Sequence, residues 1–429
     1  MTPRQLWRSI CRFRWRSSAA TVLANIRLYG WRATLRKVGV RLRLFANRKY
    51  RKSTWGRGQE SFENVSPAVA LFGRPSILIV GALDLPQCKK YRVSQKVEYF
   101  QSIGWDCYYS HYSDAPRVIS YLQISTALIF YRVPSCAQFN EYLEEAGRLG
   151  ISTFYDIDDP IFNVEVYKEN KNLEHIPAHE RTHLLSSADD YRGAMKRVDA
   201  LILSTSYLQE LAQTEFGGRT YLWRNLADSA TLSIAANLGH EAVDIDPGRV
   251  TIGYASGSRA HDEDFKIVAS ALETILELHD NVDLQVIGYA VMPPALQKFK
   301  DRINTRPFAG YLKYFEALNE VDINIVPLVD DRFNACKSAI RYLEASLCKV
   351  PTVASSVGQF SEIIVDGQDG NLARNNDQWV AALVRLIENS ELRLQMGEAA
   401  NRKVRAQHTF SCPDVIEREL LDQFALSNE

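Results

Sequence analysis

The sequence predicts an α/β protein with two doubly wound, parallel-sheet domains behind a basic helical arm. The chain has 429 residues, which is too long for one ordinary hydrophobic core and suggests two or three domains. Short, apolar, β-branched segments alternate with helical segments, as in parallel sheets whose two faces are covered by helices. The first 60 residues contain 16 Lys and Arg but one acidic residue, Glu60. This charge difference separates the arm from the rest of the chain.

The composition is that of a globular protein, with 46% apolar and 24% charged residues. No run of 18 apolar residues occurs, so the sequence predicts no transmembrane helix. The N-terminus lacks the apolar core of a signal peptide. Seven cysteines are scattered without a C-x-x-C pair, which favours reduced thiols over disulfides or structural zinc. We therefore expect a cytoplasmic protein.

Residues 1–52 are predicted to form an interrupted amphipathic helix. Its apolar stripe consists of Leu28, Trp31, Leu35, Val38, Leu42 and Phe45, and arginines flank this stripe. The rest of the chain holds 35 basic and 50 acidic residues, from totals of 51 each. Aromatic and basic side chains on such a helix are typical of binding at an anionic membrane surface, here the inner face of the cell membrane. A helix packed on its own acidic body and a nucleic-acid arm are the alternatives, and we expect no nucleic-acid partner.

Composition also places the domain boundaries. The arm and a Gly/Ser/Pro-containing linker occupy residues 1–65, and a first domain occupies residues 75–240. A small, polar and acidic segment precedes a second domain at residues 248–410. Residues 411–429 are predicted to form a final helix.

The most informative stretch is Phe333–Gly370, which reads as loop, helix, buried strand and loop. Asn334 and Ser338 are residues that cap or turn a chain entering a helix. Backbone N–H groups and the helix dipole attract phosphate there, and Lys337 adds a full charge. Glu344 lies about two turns further along, where its carboxylate can accept hydrogen bonds from a ribose diol.

This stretch resembles the nucleotide-binding segment of GT-B glycosyltransferases, specifically the retaining enzymes of glycosyltransferase family 4. Those enzymes carry two glutamates separated by seven residues, then a Pro-[TV]-V-A-[ST] strand and a D-G-x-x-G loop. Here Glu344, Pro351–Ser355 and Asp366–Gly370 match that pattern. Cys336 stands where the first glutamate, which usually contacts the transferred sugar, is expected. The resemblance covers roughly residues 75–410 and implies two Rossmann-like domains that face one cleft.

The second domain is predicted to begin with the strand–loop–helix segment Val250–Phe265. Its loop contains Ser256, Gly257 and Ser258. Glycine permits close backbone approach, and backbone amides in such a loop can cradle phosphate. The resemblance places the donor diphosphate here, near Arg259 and His261. It places the nucleotide base near Tyr311.

Polar residues also mark the predicted first domain. By resemblance, Arg92 lies at the N-terminus of the first helix and faces the cleft. Arg132, Asp156 and Asp158 lie at the ends of two predicted strands, where ligands bind in open α/β sheets. We predict that these four residues bind the acceptor. The alternative for Asp158 and for its neighbour Asp159 is capping of the following turn.

The segment from His179 to His183 is a formal H-E-x-x-H motif. On a helix both histidines would share a face and could bind zinc, with Glu180 as general base of a peptidase. Such a site needs a third ligand, for which Glu210 or Glu215 is available. We favour a polar surface helix instead, and we expect no metal and no cofactor.

The resemblance implies a metal-independent, retaining hexosyltransferase-like enzyme of bacterial polysaccharide biosynthesis. It would move a sugar from a nucleotide-diphosphate sugar to a lipid-linked or polysaccharide acceptor. The predicted catalytic residues are Lys337, His261 and Arg259, which would stabilise the departing diphosphate. The predicted donor-binding residues are Ser256, Gly257, Ser258, Tyr311, Ser338 and Glu344. The alternative is a catalytically inactive GT-B binding module, which Cys336 favours.

Overall fold

The computed structural model describes residues 74–238, 248–257, 261–307, 310–412 and 416–425. The predicted arm and its linker over residues 1–65 lie outside the described residues. The same is true of two predicted site residues, Ser258 and Arg259.

The first domain contains a six-stranded parallel sheet. Its strands are β1 (Ser76–Gly81), β2 (Asp106–His111), β3 (Ala127–Tyr131), β4 (Ser152–Ile157), β5 (Ala200–Leu203) and β6 (Arg219–Leu222). They are arranged in the order β2-β1-β3-β4-β5-β6, and every neighbouring pair is parallel. All residues of β1, β3 and β5 are buried, which explains why these segments are continuously apolar in the sequence.

The helices of the first domain follow the strands in the manner of a doubly wound sheet. They are α1 (Pro86–Lys89), a π-helical turn (Lys90–Ser94), α2 (Gln95–Ser102), α3 (Ala115–Leu122), α4 (Ala137–Leu149), α5 (Val164–Glu169), a 3₁₀ turn (Lys171–His175), α6 (Ala178–Met195) and α7 (Ser206–Glu215). Helix α8 (Ser229–Leu238) then leads towards the second domain and packs against its core through Leu232 and Ala235.

The second domain repeats this architecture. Its strands are β7 (Val250–Ser256), β8 (Val282–Gly288), β9 (Ile303–Arg306), β10 (Ile323–Val326), β11 (Thr352–Ser355) and β12 (Asn371–Ala373). The sheet has the order β12-β11-β10-β7-β8-β9 and is again parallel throughout. The two sheets confirm the prediction of two doubly wound α/β domains.

The helices of the second domain cover both faces of its sheet. They are α9 (Asp262–Leu278), a 3₁₀ segment (Pro294–Arg302), α10 (Tyr311–Asn319), α11 (Arg332–Ala335), α12 (Ile340–Leu347), α13 (Gln359–Ile363), α14 (Asn376–Glu388) and α15 (Ser390–Gln407). Six of the eight residues of α12 are buried, so this helix is enclosed on nearly every side.

The last helix, α16 (Arg418–Ala425), packs on the first domain. Leu420 and Phe424 have no exposed surface and lie in the hydrophobic cluster of β1 and β3. Thr126 Oγ1 also donates a hydrogen bond to the Phe424 carbonyl oxygen at 3.1 Å. Within the described ranges, no helix is long and apolar enough to cross a bilayer.

Candidate functional site

A cluster around Lys337 lies between α11 and α12. Lys337 Nζ is 3.4 Å from His261 Nδ1 and 3.9 Å from Asp264 Oδ2. The Asp264 side chain has no exposed surface and accepts hydrogen bonds from the Val329 amide and from Asn334 Nδ2, each at 3.0 Å. The structure thus brings the predicted residues Lys337 and His261 together around a buried carboxylate that the sequence analysis missed.

The protonation states in this cluster follow from burial and neighbouring charge. Burial, with the nearby Lys337 charge, lowers the pKa of His261 to about 3. Burial opposes ionisation of Asp264, but the His261 hydrogen bond and the Lys337 charge lower its pKa to about 2. Near pH 7 the histidine is therefore neutral and the aspartate is ionised.

The tautomer of His261 follows from its partner. An ionised carboxylate only accepts hydrogen bonds, and His261 Nδ1 lies 2.9 Å from Asp264 Oδ2, so Nδ1 carries the proton. The other ring nitrogen, Nε2, is then a hydrogen-bond acceptor. His261 was predicted to stabilise an anion by charge. In this state it offers an acceptor to a hydroxyl group instead.

Arg341 is a further cation that the sequence analysis missed. Its charge is among those that lower the pKa values of His261 and Lys337, although burial is the larger cause in both cases. Arg341 Nη1 and Ser338 Oγ are buried and have no hydrogen-bond partner among the described residues. Buried polar atoms of this kind are rare because each unpaired atom costs about 1–3 kcal/mol. Ser338 follows Lys337 in the chain, and Arg341 is near enough to affect the pKa of Lys337, so these two donors are candidates for binding an anion.

Neighbouring loops fix the approach to this helix. A Cβ atom on Gly358, whose φ is +52°, would lie 2.2 Å from the Ala335 carbonyl oxygen, so only glycine fits there. The next residue, Gln359, accepts a hydrogen bond from the Ala339 amide through Oε1 at 2.7 Å. Helix α12 follows Ala339 and has no local side-chain cap, so Ser338 lies in the segment before the helix and does not cap it. Gln359, which is twenty residues away in the sequence, accepts the hydrogen bond of the Ala339 amide. The Ser338 hydroxyl has no hydrogen-bond partner among the described residues.

Asn334, the other predicted cap, lies inside the short helix α11. Asp331 caps that helix by accepting a hydrogen bond from the Asn334 amide at 2.7 Å. The Asn334 side chain donates instead to Asp264, as described above, and to the Val329 carbonyl oxygen at 3.0 Å. Asn334 therefore supports the anion site through Asp264 and does not start a helix.

Glu344 lies on α12 and is surrounded by three tyrosine hydroxyls. Tyr311 donates to Glu344 Oε1 at 2.9 Å, and Tyr314 donates to Oε2 at 2.9 Å. Tyr91, from the π-helical turn of the first domain, also donates to Oε1. Burial raises the pKa of Glu344, and the three hydrogen bonds oppose this effect. Burial, with the Glu344 charge, also raises the pKa of each tyrosine, so all three remain donors near pH 7.

Lys90 extends this cluster towards the segment that joins the domains. Its Nζ lies 2.9 Å from Thr231 Oγ1 and 4.3 Å from the centre of the Tyr311 ring. It also forms an ion pair with Asp228. The predicted base-binding residue Tyr311 is thus placed next to Glu344 and beneath a cation.

The described part of the predicted phosphate loop is Ser256 and Gly257. The Ser256 carbonyl oxygen accepts a hydrogen bond from the Tyr289 amide at 3.1 Å. A Cβ on Gly288, with φ of +98°, would lie 2.1 Å from that oxygen, which requires glycine at this crossing. A Cβ on Gly257 would lie 3.5 Å from Gln87 Nε2 of the first domain. The described part of the predicted phosphate loop therefore lies at the boundary between the domains.

The predicted acceptor residues Arg92 and Asp156 form a buried ion pair. Arg92 Nε donates to Asp156 Oδ1 at 2.9 Å, and Lys96 Nζ lies 2.5 Å from Asp156 Oδ2. All three side chains have no exposed surface. Arg92 also donates to the Trp223 carbonyl oxygen at 2.7 Å and to Asn225 Oδ1 at 3.0 Å. Because nothing of this network is exposed, a direct contact between these residues and an acceptor does not fit this arrangement.

Arg132 and Asp158, the other two predicted acceptor residues, remain partly accessible. Arg132 Nε donates to Asp158 Oδ1 at 2.5 Å, and Nη2 contacts Asp159. Arg132 has a φ of +48°, which is unusual for a residue with a side chain and is common at functional sites. Burial raises the pKa of Asp159, while the Arg132 and Lys337 charges oppose this rise. The charge of Lys337, from the second domain, therefore reaches Asp159 of the first domain.

Cys336 packs in the hydrophobic core of the first domain together with Phe333. Its carbonyl oxygen accepts a hydrogen bond from Thr205 Oγ1 at 2.9 Å, and the adjacent Ser204 donates to the Asp158 carbonyl oxygen at 3.3 Å. Burial raises the pKa of the Cys336 thiol to about 12. Where the sequence analysis expected a first glutamate, the chain thus has a buried thiol, and an ionised carboxylate there would be costly.

The H-E-x-x-H motif lies on α6, where both His179 and His183 are exposed. His179 Nε2 lies 3.8 Å from Glu180 Oε1. Over the described portion of the chain, no three His, Cys, Asp or Glu side chains form a group that could hold a metal ion. With both histidines exposed, the motif forms part of a polar helix surface.

Comparison with known proteins identifies the fold. Residues 249–389 match the protein family described as "Glycosyl transferases group 1". No curated protein sequence matches the chain. The structure of Anabaena HepE in complex with UDP and glucose superposes with a TM-score of 0.57 and 13% identity, covering 82% of this chain and 100% of that chain. Sucrose-phosphate synthase from Thermosynechococcus elongatus gives a TM-score of 0.56 and 12% identity, covering 79% and 96%. The chain has the GT-B fold, as predicted.

Proposed function

We propose that the protein transfers a sugar from a nucleotide-diphosphate sugar to a lipid-linked or polysaccharide acceptor. The observation that carries this proposal is the group of unpaired donors beside Lys337. Ser338 Oγ and Arg341 Nη1 are buried without partners among the described residues, near Lys337 in the segment between β10 and β11. The match of the second domain to glycosyl transferases supports it independently.

The donor would bind with its diphosphate against Lys337, Ser338 and Arg341. Negative charge develops on the diphosphate as the sugar–phosphate bond breaks, so donors fixed in advance stabilise the transition state. Glu344 would accept hydrogen bonds from the ribose, and Ser256 and Gly257 would lie near the phosphates. The neutral His261 would accept a hydrogen bond from a sugar hydroxyl through Nε2.

The acceptor would approach from the first domain, where Arg132, Asp158 and Asp159 are partly accessible. Asp158 and Asp159 can accept hydrogen bonds from sugar hydroxyls. Metal independence is part of this proposal because the protein's own cations can stabilise the leaving diphosphate, and retention of configuration is proposed from the sequence resemblance alone. UDP is the first nucleotide to test, since the similar HepE structure was determined with UDP.

The test is a screen with UDP-, GDP-, ADP- and dTDP-sugars, with binding measured by calorimetry and turnover measured as released nucleoside diphosphate. We expect one nucleotide class to bind and to be turned over, and a chelator to leave turnover unchanged. Binding without turnover for any sugar or acceptor would favour the inactive binding module. Binding of none of the four classes would contradict the proposal.

The arm over residues 1–52 would hold the enzyme at an anionic membrane surface, at the inner face of the cell membrane. Each basic residue near such a surface contributes about 1 kcal/mol of binding free energy. The test is flotation with anionic vesicles, using the full chain and a chain that starts at Ser53. The full chain should float, less so at high salt. Equal flotation of the shortened chain would contradict a membrane role and favour packing of the arm on the acidic body.

A further inference from the structure

The Glu344 carboxylate is nearly saturated with hydrogen bonds. Tyr91 and Tyr311 both donate to Oε1, where their hydroxyl oxygens lie 3.0 Å apart, and Tyr314 donates to Oε2. An ionised carboxylate has about four lone-pair sites, so about one remains. A ribose diol donates two hydrogen bonds when it binds a carboxylate side by side. At least one tyrosine hydroxyl must therefore leave before the ribose can bind in this way.

The three tyrosines differ in how they are attached. Tyr311 and Tyr314 lie on α10, in the same domain as Glu344, and their rings contact one another with centroids 6.1 Å apart. Tyr91 comes from the first domain, within the π-helical turn Lys90–Ser94. A shift of one domain relative to the other would remove Tyr91 from the carboxylate and leave the other two tyrosines in place. π-Helical turns of this kind are found frequently at functional sites.

The surroundings of Tyr91 connect it to both domains. The next residue, Arg92, is fixed to Asp156 in the buried network of the first domain. The preceding residue, Lys90, is paired with Asp228 and Thr231 at the start of the segment that enters the second domain. Tyr91 itself is buried. The hydrogen bond from its hydroxyl to Glu344 therefore depends on how the two domains pack against each other.

On the basis of the proposed function, we propose that Tyr91 is a specificity-determining residue whose hydroxyl occupies the ribose position on Glu344. Nucleotide binding and the Tyr91–Glu344 hydrogen bond then exclude one another. The nucleoside diphosphate has to break a contact between domains in order to bind. Tyr91 thus lowers affinity for the free nucleotide and selects ligands whose ribose carries two hydroxyls that replace its hydrogen bond.

The test compares Tyr91→Phe with the parent by calorimetric titration with UDP, GDP, ADP and dTDP. This change removes the hydroxyl and keeps the ring, and a thermal melt checks folding. We expect Tyr91→Phe to bind the preferred ribonucleoside diphosphate about tenfold more tightly, because one hydrogen bond to a charged group no longer competes. The gain should vanish with the 2′,3′-dideoxy analogue of that nucleotide. It should also vanish when Tyr91→Phe is combined with Glu344→Gln.

The matched control is Tyr314→Phe, which removes a hydroxyl from the same carboxylate but from within the same domain. We expect this variant to bind the nucleotide no more tightly than the parent. Equal or weaker binding by Tyr91→Phe, or a parent that prefers dTDP, whose deoxyribose has no diol, would overturn this inference alone. Tighter binding by both tyrosine variants would also overturn it, since the effect would then not depend on the domain that supplies the hydroxyl. A parent that binds none of the four diphosphates would overturn the proposed function as well.

Discussion

Two clusters of positive side chains, one in each domain, differ in whether all of their hydrogen-bond donors have partners. In the first domain, Arg92 and Lys96 both contact Asp156, and none of the three is exposed. In the second domain, Lys337 and Arg341 lie near each other, and Arg341 Nη1 has no partner within the described ranges. The first cluster is complete without a ligand, whereas the second has donors left for an anion. Residue type alone does not distinguish a structural cation from a binding cation.

Substitutions in the first cluster should have the larger effect on the free energy of unfolding. Asp156→Ala leaves two buried cations without a counter-charge, which should destabilise the protein by about 3–5 kcal/mol. Urea unfolding of the parent and the variant measures this difference. Glu145→Ala, which removes the surface partner of Arg148, is the control and should change stability little. If Asp156→Ala loses no more stability than Glu145→Ala, the cluster does not have this structural role.

Substitutions in the second cluster should have the larger effect on kcat. Lys337→Met removes a charge that stabilises the departing diphosphate and should lower kcat by about 10²–10³-fold. Stability should fall by less than in Asp156→Ala, because the Asp264 carboxylate that loses this cation keeps its hydrogen bonds from the Val329 amide and Asn334. Steady-state kinetics and a thermal melt test both expectations. An unchanged kcat would mean that the leaving group is stabilised elsewhere.

The sequence predicted the elements better than it predicted the pairing of their charges. The apolar segments of β1, β3 and β7 identified both sheets, because a buried parallel strand has a strong local signature. Lys337 and Glu344 were found because they lie within one such unit. The burial of Arg92 depends on contacts with residues more than sixty positions away, which no local pattern reveals.

Arg341 and Tyr91 show two further limits of the sequence. Arg341 lies in the first turn of α12, only four residues after Lys337, so its closeness in the sequence could have indicated it. Tyr91 reaches Glu344 across 253 positions and through a π-helical turn, and neither feature has a signal in the sequence. The site therefore depends on how the two domains pack together, while the fold depends on patterns within each domain.

The pH dependence of stability tests the cluster around His261. Its pKa is about 3 in the folded protein, below its ordinary value of 6.5, because of burial and the Lys337 charge. The unfolded state therefore binds the proton more readily, so the stability from neutral His261 is complete above pH 6.5 and is lost as the pH falls towards 3. Between pH 7.5 and pH 5 the free energy of unfolding of the parent should fall by about 2 kcal/mol more than that of His261→Gln. Urea unfolding at both pH values measures this, and parallel losses would show that the histidine is not held neutral.

The most direct test of the anion site is the affinity difference between a nucleoside diphosphate and its monophosphate. Calorimetry with the diphosphate identified in the screen should show binding at least about tenfold tighter than the monophosphate. Arg341→Gln should reduce that difference while leaving monophosphate affinity nearly unchanged, because it removes one of the donors proposed to bind the second phosphate. If the diphosphate and the monophosphate bind the parent equally, or if Arg341→Gln keeps the full difference, the unpaired donors of the second domain are not a diphosphate site.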